Sequence, residues 1–142
     1  MEQIYNVLIV DDELGFLEKY SDILRRRGFE VQTAQNGLDG LEKLRQDQFD
    51  VAILDIRMPK MDGIEIARLI QVEDIDTGVI VVTGHGERNE AVKALNYGVD
   101  AWFDKSRLDM GQFVDKVRQV AEVMSPEEIH HILSAIPEYE TA

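Results

Sequence analysis

Residues 49–63 read Phe-Asp-Val-Ala-Ile-Leu-Asp-Ile-Arg-Met-Pro-Lys-Met-Asp-Gly, an apolar run that ends in a carboxylate and then breaks into a turn. Residues 51–54 are too uniformly apolar for a half-exposed strand and too few for a buried helix, which predicts a central parallel strand covered on both faces. Asp55 then stands at the carboxyl end of this strand, where open parallel sheets bind ligands. The stretch therefore predicts both the type of sheet and the location of its site.

The turn after this strand is predicted to be short and stiff. Pro59 ends the strand and keeps Met58 out of the helical region. Asp62 is a predicted N-cap for the following helix, and Glu65, three residues later, is predicted to complete a capping box.

The same strand–helix pattern occurs five times along the chain. Gly28 and Gly98 supply the left-handed stops after two of the helices. The alternating strand at residues 29–33 is predicted nearer the sheet edge, and the short helix marked by Ala91 and Leu95 has little apolar surface to hold it. Five strands alternating with five helices predict an α/β fold, with a parallel sheet, right-handed crossovers and helices on both faces. The predicted strands span residues 5–10, 29–33, 51–54, 78–82 and 99–103.

A sixth, short helix follows the five units. Ser125 is its predicted cap, Pro126 its first residue, and its end is expected near Ala135. We divide the chain into a domain at residues 1–124 and a helical extension at residues 125–142. The extension is expected to pack on the domain or on a partner through an apolar stripe of Ile129, Ile132, Leu133 and Ile136.

Composition excludes several classes of protein. The chain has 142 residues, enough for one ordinary domain, and contains no cysteine that could form disulfides or thiolate metal sites. No apolar run approaches the length of a membrane span, so a soluble cytoplasmic protein is expected. A net charge of -13 disfavours direct nucleic acid binding by this chain.

Each of the strongest predicted strands ends in a polar group. Because the carboxyl ends of parallel strands share one edge of the sheet, these groups are expected to converge. Three carboxylates in one small site repel each other unless a cation joins them, and their hard oxygens suit Mg²⁺. A hydroxyl and an ammonium beside them could hold phosphoryl oxygens, which indicates phosphoryl transfer to a carboxylate. Any one of these residues alone is more simply explained as a solvated loop residue, but their occurrence together favours a functional site. The set consists of Asp11, Asp12, Asp55, Thr83 and Lys105.

The motifs at these strand ends resemble those of the receiver domain of bacterial response regulators. The resemblance covers about residues 5–124, and it implies a flavodoxin-like sheet with strand order 2-1-3-4-5. It also implies that Asp55 accepts a phosphoryl group from a histidine kinase or histidine phosphotransfer protein, with Mg²⁺ as the cofactor. The matching motifs are Val10-Asp11-Asp12, Leu54-Asp55, Met58-Pro59-Lys60-Met61-Asp62-Gly63, Thr83-Gly84 and Phe103-Asp104-Lys105.

The resemblance assigns roles to the individual residues. Mg²⁺ would bind Asp11, Asp12 and Asp55 together with the backbone carbonyl of Arg57. Thr83 and Lys105 would contact the phosphoryl group. Thr83 and Trp102 would form the switch that changes a protein-interaction surface, although Trp102 could equally be plain core. The chain would then regulate a downstream protein or a fused output domain, and it could form a homodimer. It would catalyse only its own phosphorylation and dephosphorylation.

Two positions depart from, or vary within, the family's pattern. Ser106 follows Lys105 where the family usually has proline, often after a cis bond, so either the loop is strained or it follows another path. His85, like Arg57, borders the phosphoryl site at a position that varies in the family, and it is expected to be a solvent-facing loop residue.

Two enzyme classes use related chemistry. Haloacid-dehalogenase-like phosphatases also use a strand-end aspartate with Mg²⁺, but they need a second aspartate two residues later, where this chain has Arg57. Nucleotide hydrolases with a phosphate-binding loop need a Gly-Lys pair, and the sequence contains none. The sequence thus disfavours both, and it leaves the cognate kinase and the output undecided.

Overall fold

The computed structural model describes residues 3–84, 88–123 and 126–137. Every predicted strand and helix is found there. The elements are β1 (Asn6–Val10), α1 (Leu14–Arg26), β2 (Glu30–Ala34), α2 (Gly37–Gln46), β3 (Val51–Asp55), α3 (Gly63–Val72), β4 (Gly78–Thr83), α4 (Arg88–Leu95), β5 (Ala101–Asp104), a 3₁₀ helix (Lys105–Arg107), α5 (Met110–Ala121) and α6 (Pro126–Ser134).

The five strands form one parallel sheet in the order β2-β1-β3-β4-β5. The predicted fold class and strand order are therefore confirmed. All five residues of β3 are buried, as expected for a central strand covered on both faces, and β2 lies at the edge as its alternating pattern indicated.

Each face of the sheet carries its own apolar core. On one face, α1 and α5 pack against the alternate strand residues that include Ile53. On the other face, α2, α3 and α4 pack against the opposite set, which includes Ala52 and Leu54. Because neighbouring strand residues point to opposite faces, one apolar run contributes to both cores.

Local signals set several helix ends as predicted. Gly28 and Gly98 have φ of 94° and 74°, in the left-handed region that glycine enters without strain. The Asp62 side chain accepts a hydrogen bond from the Glu65 backbone N–H at 2.8 Å, which confirms the N-cap. The second half of the predicted capping box is wrong, because the Glu65 carboxylate pairs with Arg68 at 2.6 Å instead of bonding back to residue 62.

The inner face of α4 was not assigned from the sequence. Ala94 is buried in the core, whereas Leu95, one of the two residues that marked the predicted helix, is exposed together with Val92. The hydrophobic pattern of this helix is too weak to define its inner face, so packing against the sheet selects the small residue that allows close approach. The predicted weakness of its apolar packing is consistent with these two exposed side chains.

The bounds of α6 match the predicted sixth helix. Ile129, Ile132 and Ile136 are nevertheless exposed, so the described part of the domain does not cover most of the stripe, and packing against the domain is wrong for these three residues. Packing on a partner stays a prediction. The predicted cap Ser125 and the predicted loop residue His85 lie outside the described residues.

None of the helices in the described part of the chain combines the length and apolar character that a membrane crossing requires.

Candidate functional site

The predicted strand-end residues meet at the carboxyl edge of the sheet. Asp55 ends β3, Thr83 ends β4, and Asp11 directly follows β1. Side-chain oxygens of Asp11, Asp12 and Asp55 all lie within 4.8 Å of one another. The convergence predicted from the order of strand-end residues is therefore present in three dimensions.

Backbone hydrogen bonds of the next residue, Ile56, fix the position of Asp55. Its neighbour Ile56 donates a hydrogen bond to the Val82 carbonyl at 3.1 Å and accepts one from the Gly63 N–H at 3.0 Å. A Cβ added to Gly63 would overlap the Asp55 carbonyl oxygen, so the first turn of α3 can approach β3 only because residue 63 is glycine. The Asp55 side chain is 7% exposed and thus has little freedom to move.

Lys105 lies across the carboxylates. Its Nζ is 2.6 Å from Asp11 Oδ2, 3.4 Å from Asp55 Oδ2 and 3.8 Å from Glu13 Oε2. The side chain is 13% exposed. One ammonium therefore bridges Asp11, which follows β1, and Asp55, which ends β3, and shields their mutual repulsion.

Lys105 also packs against a cluster of aromatic side chains. Lys105 Nζ lies 4.6 Å from the centre of the Phe16 ring, within the range of a cation–π interaction. Phe16 packs on Tyr20 at 4.4 Å between ring centres, and Tyr20 packs on Phe113. Sequence reasoning missed Phe16, although it lies four residues before Tyr20 and hence on the same helical face.

Burial and like charge raise the pKa values of the two inner carboxyls. Burial, followed by the charge of Asp11, raises the pKa of Asp55 to about 7, while Lys105 and the backbone N–H of Arg57 act in the opposite direction. Burial also raises the pKa of Asp11, opposed by Lys105 and by a hydrogen bond from the Glu13 backbone N–H. Burial opposes protonation of Lys105, but its contacts with Asp11, Asp55 and Glu13 outweigh that effect and raise its pKa.

The donor set fits a hard divalent cation. Asp11 Oδ2 is buried, and its contact with Lys105 is a charge contact rather than a well-directed hydrogen bond. Three carboxylates facing one ammonium leave the site short of positive charge, which the raised pKa values reflect. An oxygen-seeking cation such as Mg²⁺ would supply it.

The backbone of Arg57 lies close to the acidic cluster. Its backbone N–H hydrogen-bonds to Asp55, which places this peptide beside the carboxylates. Arg57 also lines, with Asp12, Pro59 and Lys93, a groove of about 620 Å³. The role of its carbonyl as a ligand stays a prediction.

Thr83 and Trp102 occupy neighbouring strands. Thr83 is buried and pairs in register with Asp104 of β5. Trp102 pairs with Val81 and is 38% exposed, so the alternative that it is plain core is wrong. The two residues of the predicted switch thus lie on adjacent strands at the same end of the sheet.

The loop after β5 follows a path without a cis bond. The Lys105–Ser106 peptide is trans, and Lys105 begins a 3₁₀ helix that Asp104 caps. The sequence left two alternatives open for this loop, a strained cis bond or another backbone path. The structure has the second. The sequence analysis assigned no functional role to Asp104 or Ser106.

The sequence model described as the response regulator receiver domain matches residues 7–118. The chain belongs to this family. Receiver domains are the signalling modules of two-component response regulators and carry a phosphorylatable aspartate; they are not enzymes that turn over external substrates.

Individual relatives of this receiver domain agree with that conclusion. Sporulation initiation phosphotransferase F of Bacillus subtilis is 30% identical over 84% of this chain and 95% of its own length. The transcriptional regulatory protein ZraR of Klebsiella oxytoca is 34% identical over 82% of this chain, which spans only 28% of that regulator. It likewise spans 53% of the mycobacterial response regulator MprA.

A solved structure shows the same fold. The CheY-like response regulator receiver domain protein of Methanospirillum hungatei is 29% identical, with a TM-score of 0.79 over 84% of this chain and 95% of its own. Receiver domains typically bind Mg²⁺ in an acidic pocket and receive phosphoryl groups from kinases, and some response regulators also carry output domains. The alternative of a haloacid-dehalogenase-like phosphatase is not retained.

Proposed function

We propose that this chain is a phosphorylation-dependent switch in which Asp55 is the phosphoacceptor. The observation that carries the proposal is the position of the Asp55 carboxylate. It is buried at the end of the central strand, within 4.8 Å of two other carboxylates, and lies 3.4 Å from the ammonium of Lys105. A histidine kinase or histidine phosphotransfer protein would supply the phosphoryl group.

The proposed metal ligands are Asp11, Asp12 and Asp55 with the backbone carbonyl of Arg57. Mg²⁺ bound there would neutralise the carboxylates and the oxygens of the incoming phosphoryl group. Asp55 must be ionised to act as a nucleophile, and its raised pKa supports a role for added positive charge at the site.

The other residues act on the transferred group. An Asp55 oxygen forms the new bond to phosphorus while the bond to the donor's imidazole nitrogen breaks, and that nitrogen retains the electron pair. Lys105 and the Thr83 hydroxyl would bind the phosphoryl oxygens, which requires Lys105 to exchange part of its contact with Asp11. The groove beside Asp12 gives the donor access. Attack of water on the phosphorus would break its bond to the Asp55 oxygen, restore the carboxylate and release inorganic phosphate. The chain would thus catalyse only its own phosphorylation and dephosphorylation.

The proposed output begins at Thr83. A phosphoryl group adds up to two negative charges beside Thr83, whose hydroxyl would move toward it and leave space at the end of β4. Trp102, now 38% exposed, could then turn inward. This movement would reshape the surface of α4, β5 and α5, where a downstream protein, a fused output domain or a second copy would bind.

The proposed division of the chain is a receiver domain at residues 1–124 and a helical extension at 125–142. The exposed apolar residues of α6 support a role for the extension in contacts outside the receiver domain. The net charge of -13 supports protein partners rather than direct nucleic acid binding by this chain.

Mass spectrometry after incubation with acetyl phosphate and Mg²⁺ tests the phosphoacceptor. Wild type and the Asp109→Asn control should each gain one phosphoryl mass, because Asp109 only caps α5. Asp55→Asn should gain none. Persistence of the added mass in Asp55→Asn would contradict the assignment.

The emission of Trp102 tests the switch, since it is the only tryptophan in the sequence. Beryllium fluoride with Mg²⁺ should change the emission of wild type and leave Asp55→Asn unchanged. Constant emission, despite confirmed binding at Asp55, would show that another loop transmits the signal.

A further inference from the structure

The loop that follows β5 contains a small polar clamp on either side of Lys105. Asp104 Oδ1 accepts hydrogen bonds from the Ser106 backbone N–H at 2.9 Å and from the Ser106 hydroxyl at 2.6 Å. Both donors belong to one residue, and both bonds end on the same carboxylate oxygen. The clamp thus joins the two residues that flank Lys105.

Lys105 depends on its backbone for its aim. A lysine side chain has several rotatable bonds and loses much conformational freedom when its ammonium is held in one place. The start of that side chain is set by Asp104, whose strand pairs with Thr83, and by Ser106, which lies in the 3₁₀ helix. From this start, Lys105 Nζ reaches Asp11 Oδ2 at 2.6 Å and Asp55 Oδ2 at 3.4 Å.

We infer that Asp104 and Ser106 are positioning residues for Lys105 in phosphoryl transfer. This inference rests on the proposed function, in which Lys105 binds the phosphoryl oxygens. Asp104 fixes the loop through Ser106, and the fixed loop directs the Lys105 ammonium toward the carboxylates. A proline at position 106 could make neither bond because it lacks both the N–H and the hydroxyl.

A purely structural role makes a different prediction. If the clamp only stabilised the 3₁₀ helix, its loss would lower the free energy of unfolding, and any effect on phosphorylation would persist when Lys105 is absent. If the clamp positions Lys105, its loss slows phosphorylation only while the lysine is present. A double-mutant cycle separates these cases.

The experiment measures the rate at which acetyl phosphate with saturating Mg²⁺ phosphorylates the full chain. Asp104→Ala should lower the rate by roughly ten- to a hundredfold, the range expected when a catalytic group is displaced by about 1 Å. Ser106→Ala, which keeps the N–H bond, should lower it less. Asp104→Asn, which keeps a carbonyl acceptor, should restore most of the rate.

Asp109→Ala is the matched control, because Asp109 also caps a helix and accepts a backbone N–H, from Gln112 at 2.9 Å, but does not adjoin Lys105. Its rate should stay within about twofold of wild type. In a Lys105→Ala background, Asp104→Ala should have no further effect.

Three results would overturn the inference. The first is a wild-type rate in Asp104→Ala and Ser106→Ala, and the second is an equal loss from Asp104→Ala with and without Lys105. The third, failure of wild type to become phosphorylated at all, would overturn the proposed function as well and is thereby distinguished from the first two. Should Asp104→Ala fail to fold, the comparison of Ser106→Ala with and without Lys105 decides the question.

Discussion

Replacing the phosphoacceptor Asp55 by asparagine should stabilise the metal-free protein at neutral and alkaline pH. The carboxylate is buried beside the charge of Asp11, and these two causes raise its pKa to about 7 from an ordinary value of 3.8. A group whose pKa is raised on folding binds protons more tightly in the folded state, so its ionisation opposes folding. Asparagine has nearly the same shape and no charge to bury.

The magnitude follows from the interval between the two pKa values. Each pKa unit corresponds to about 1.4 kcal/mol, so ionised Asp55 destabilises the folded metal-free chain by up to roughly 4 kcal/mol. Asparagine also removes the 3.4 Å contact with Lys105, which keeps its 2.6 Å contact with Asp11. The raised pKa already includes the favourable effect of Lys105, so this contact is not subtracted again, and the expected gain at pH 8 is roughly 4 kcal/mol at most.

The sign with pH is also determined. Below about pH 4 the carboxyl is protonated in both states, and the penalty is absent. The penalty grows as the pH rises from about 4 to about 7 and is complete above that, because the unfolded chain ionises first. The advantage of Asp55→Asn should therefore be larger at pH 8 than at pH 5.

Urea unfolding followed by circular dichroism, with a chelator present, measures this difference at both pH values. Asp109→Asn is the control, because it removes one acidic charge from the chain at an exposed helix cap where asparagine is equally effective. Its stability should change by less than about 0.5 kcal/mol. If Asp55→Asn gains no more than the control at pH 8, or gains equally at pH 5 and pH 8, the reasoning about buried charge is wrong.

Two further predictions concern residues that support the site. Gly63→Ala should slow phosphorylation and lower the free energy of unfolding, because the new Cβ would displace the Asp55 carbonyl. Gly111→Ala, at the exposed start of α5, is the control. Equal phosphorylation rates and urea midpoints for the two variants would refute this prediction. Phe16→Leu should remove the cation–π contact with Lys105 while keeping an apolar side chain. It should reduce the phosphorylation rate several-fold and lower the free energy of unfolding by about 1 to 2 kcal/mol. An unchanged phosphorylation rate despite that loss of stability would show that Phe16 acts only in core packing.

The sequence alone determined the architecture of this receiver domain and the order of its site residues. Apolar runs of strand length at residues 51–54 and 78–82 must be buried on both faces, and this burial is a local property that can be read without knowing their neighbours. Parallel strands then bring Asp11, Asp55 and Thr83 to one edge whatever the details of the packing. Glycine stops and the Asp62 cap are likewise local, because one residue's backbone preference or side chain suffices.

Only the tertiary structure decided the contacts between elements far apart in the chain. The bridge from Lys105 to Asp11 depends on the spatial positions of β5 and β1, which are not sheet neighbours, and no local pattern encodes that distance. The inner face of α4 was decided by packing, since its weak apolar pattern left more than one orientation open. The path of the Lys105–Ser106 loop was also left open by the sequence, and in the structure the Asp104 carboxylate holds it through two hydrogen bonds from Ser106.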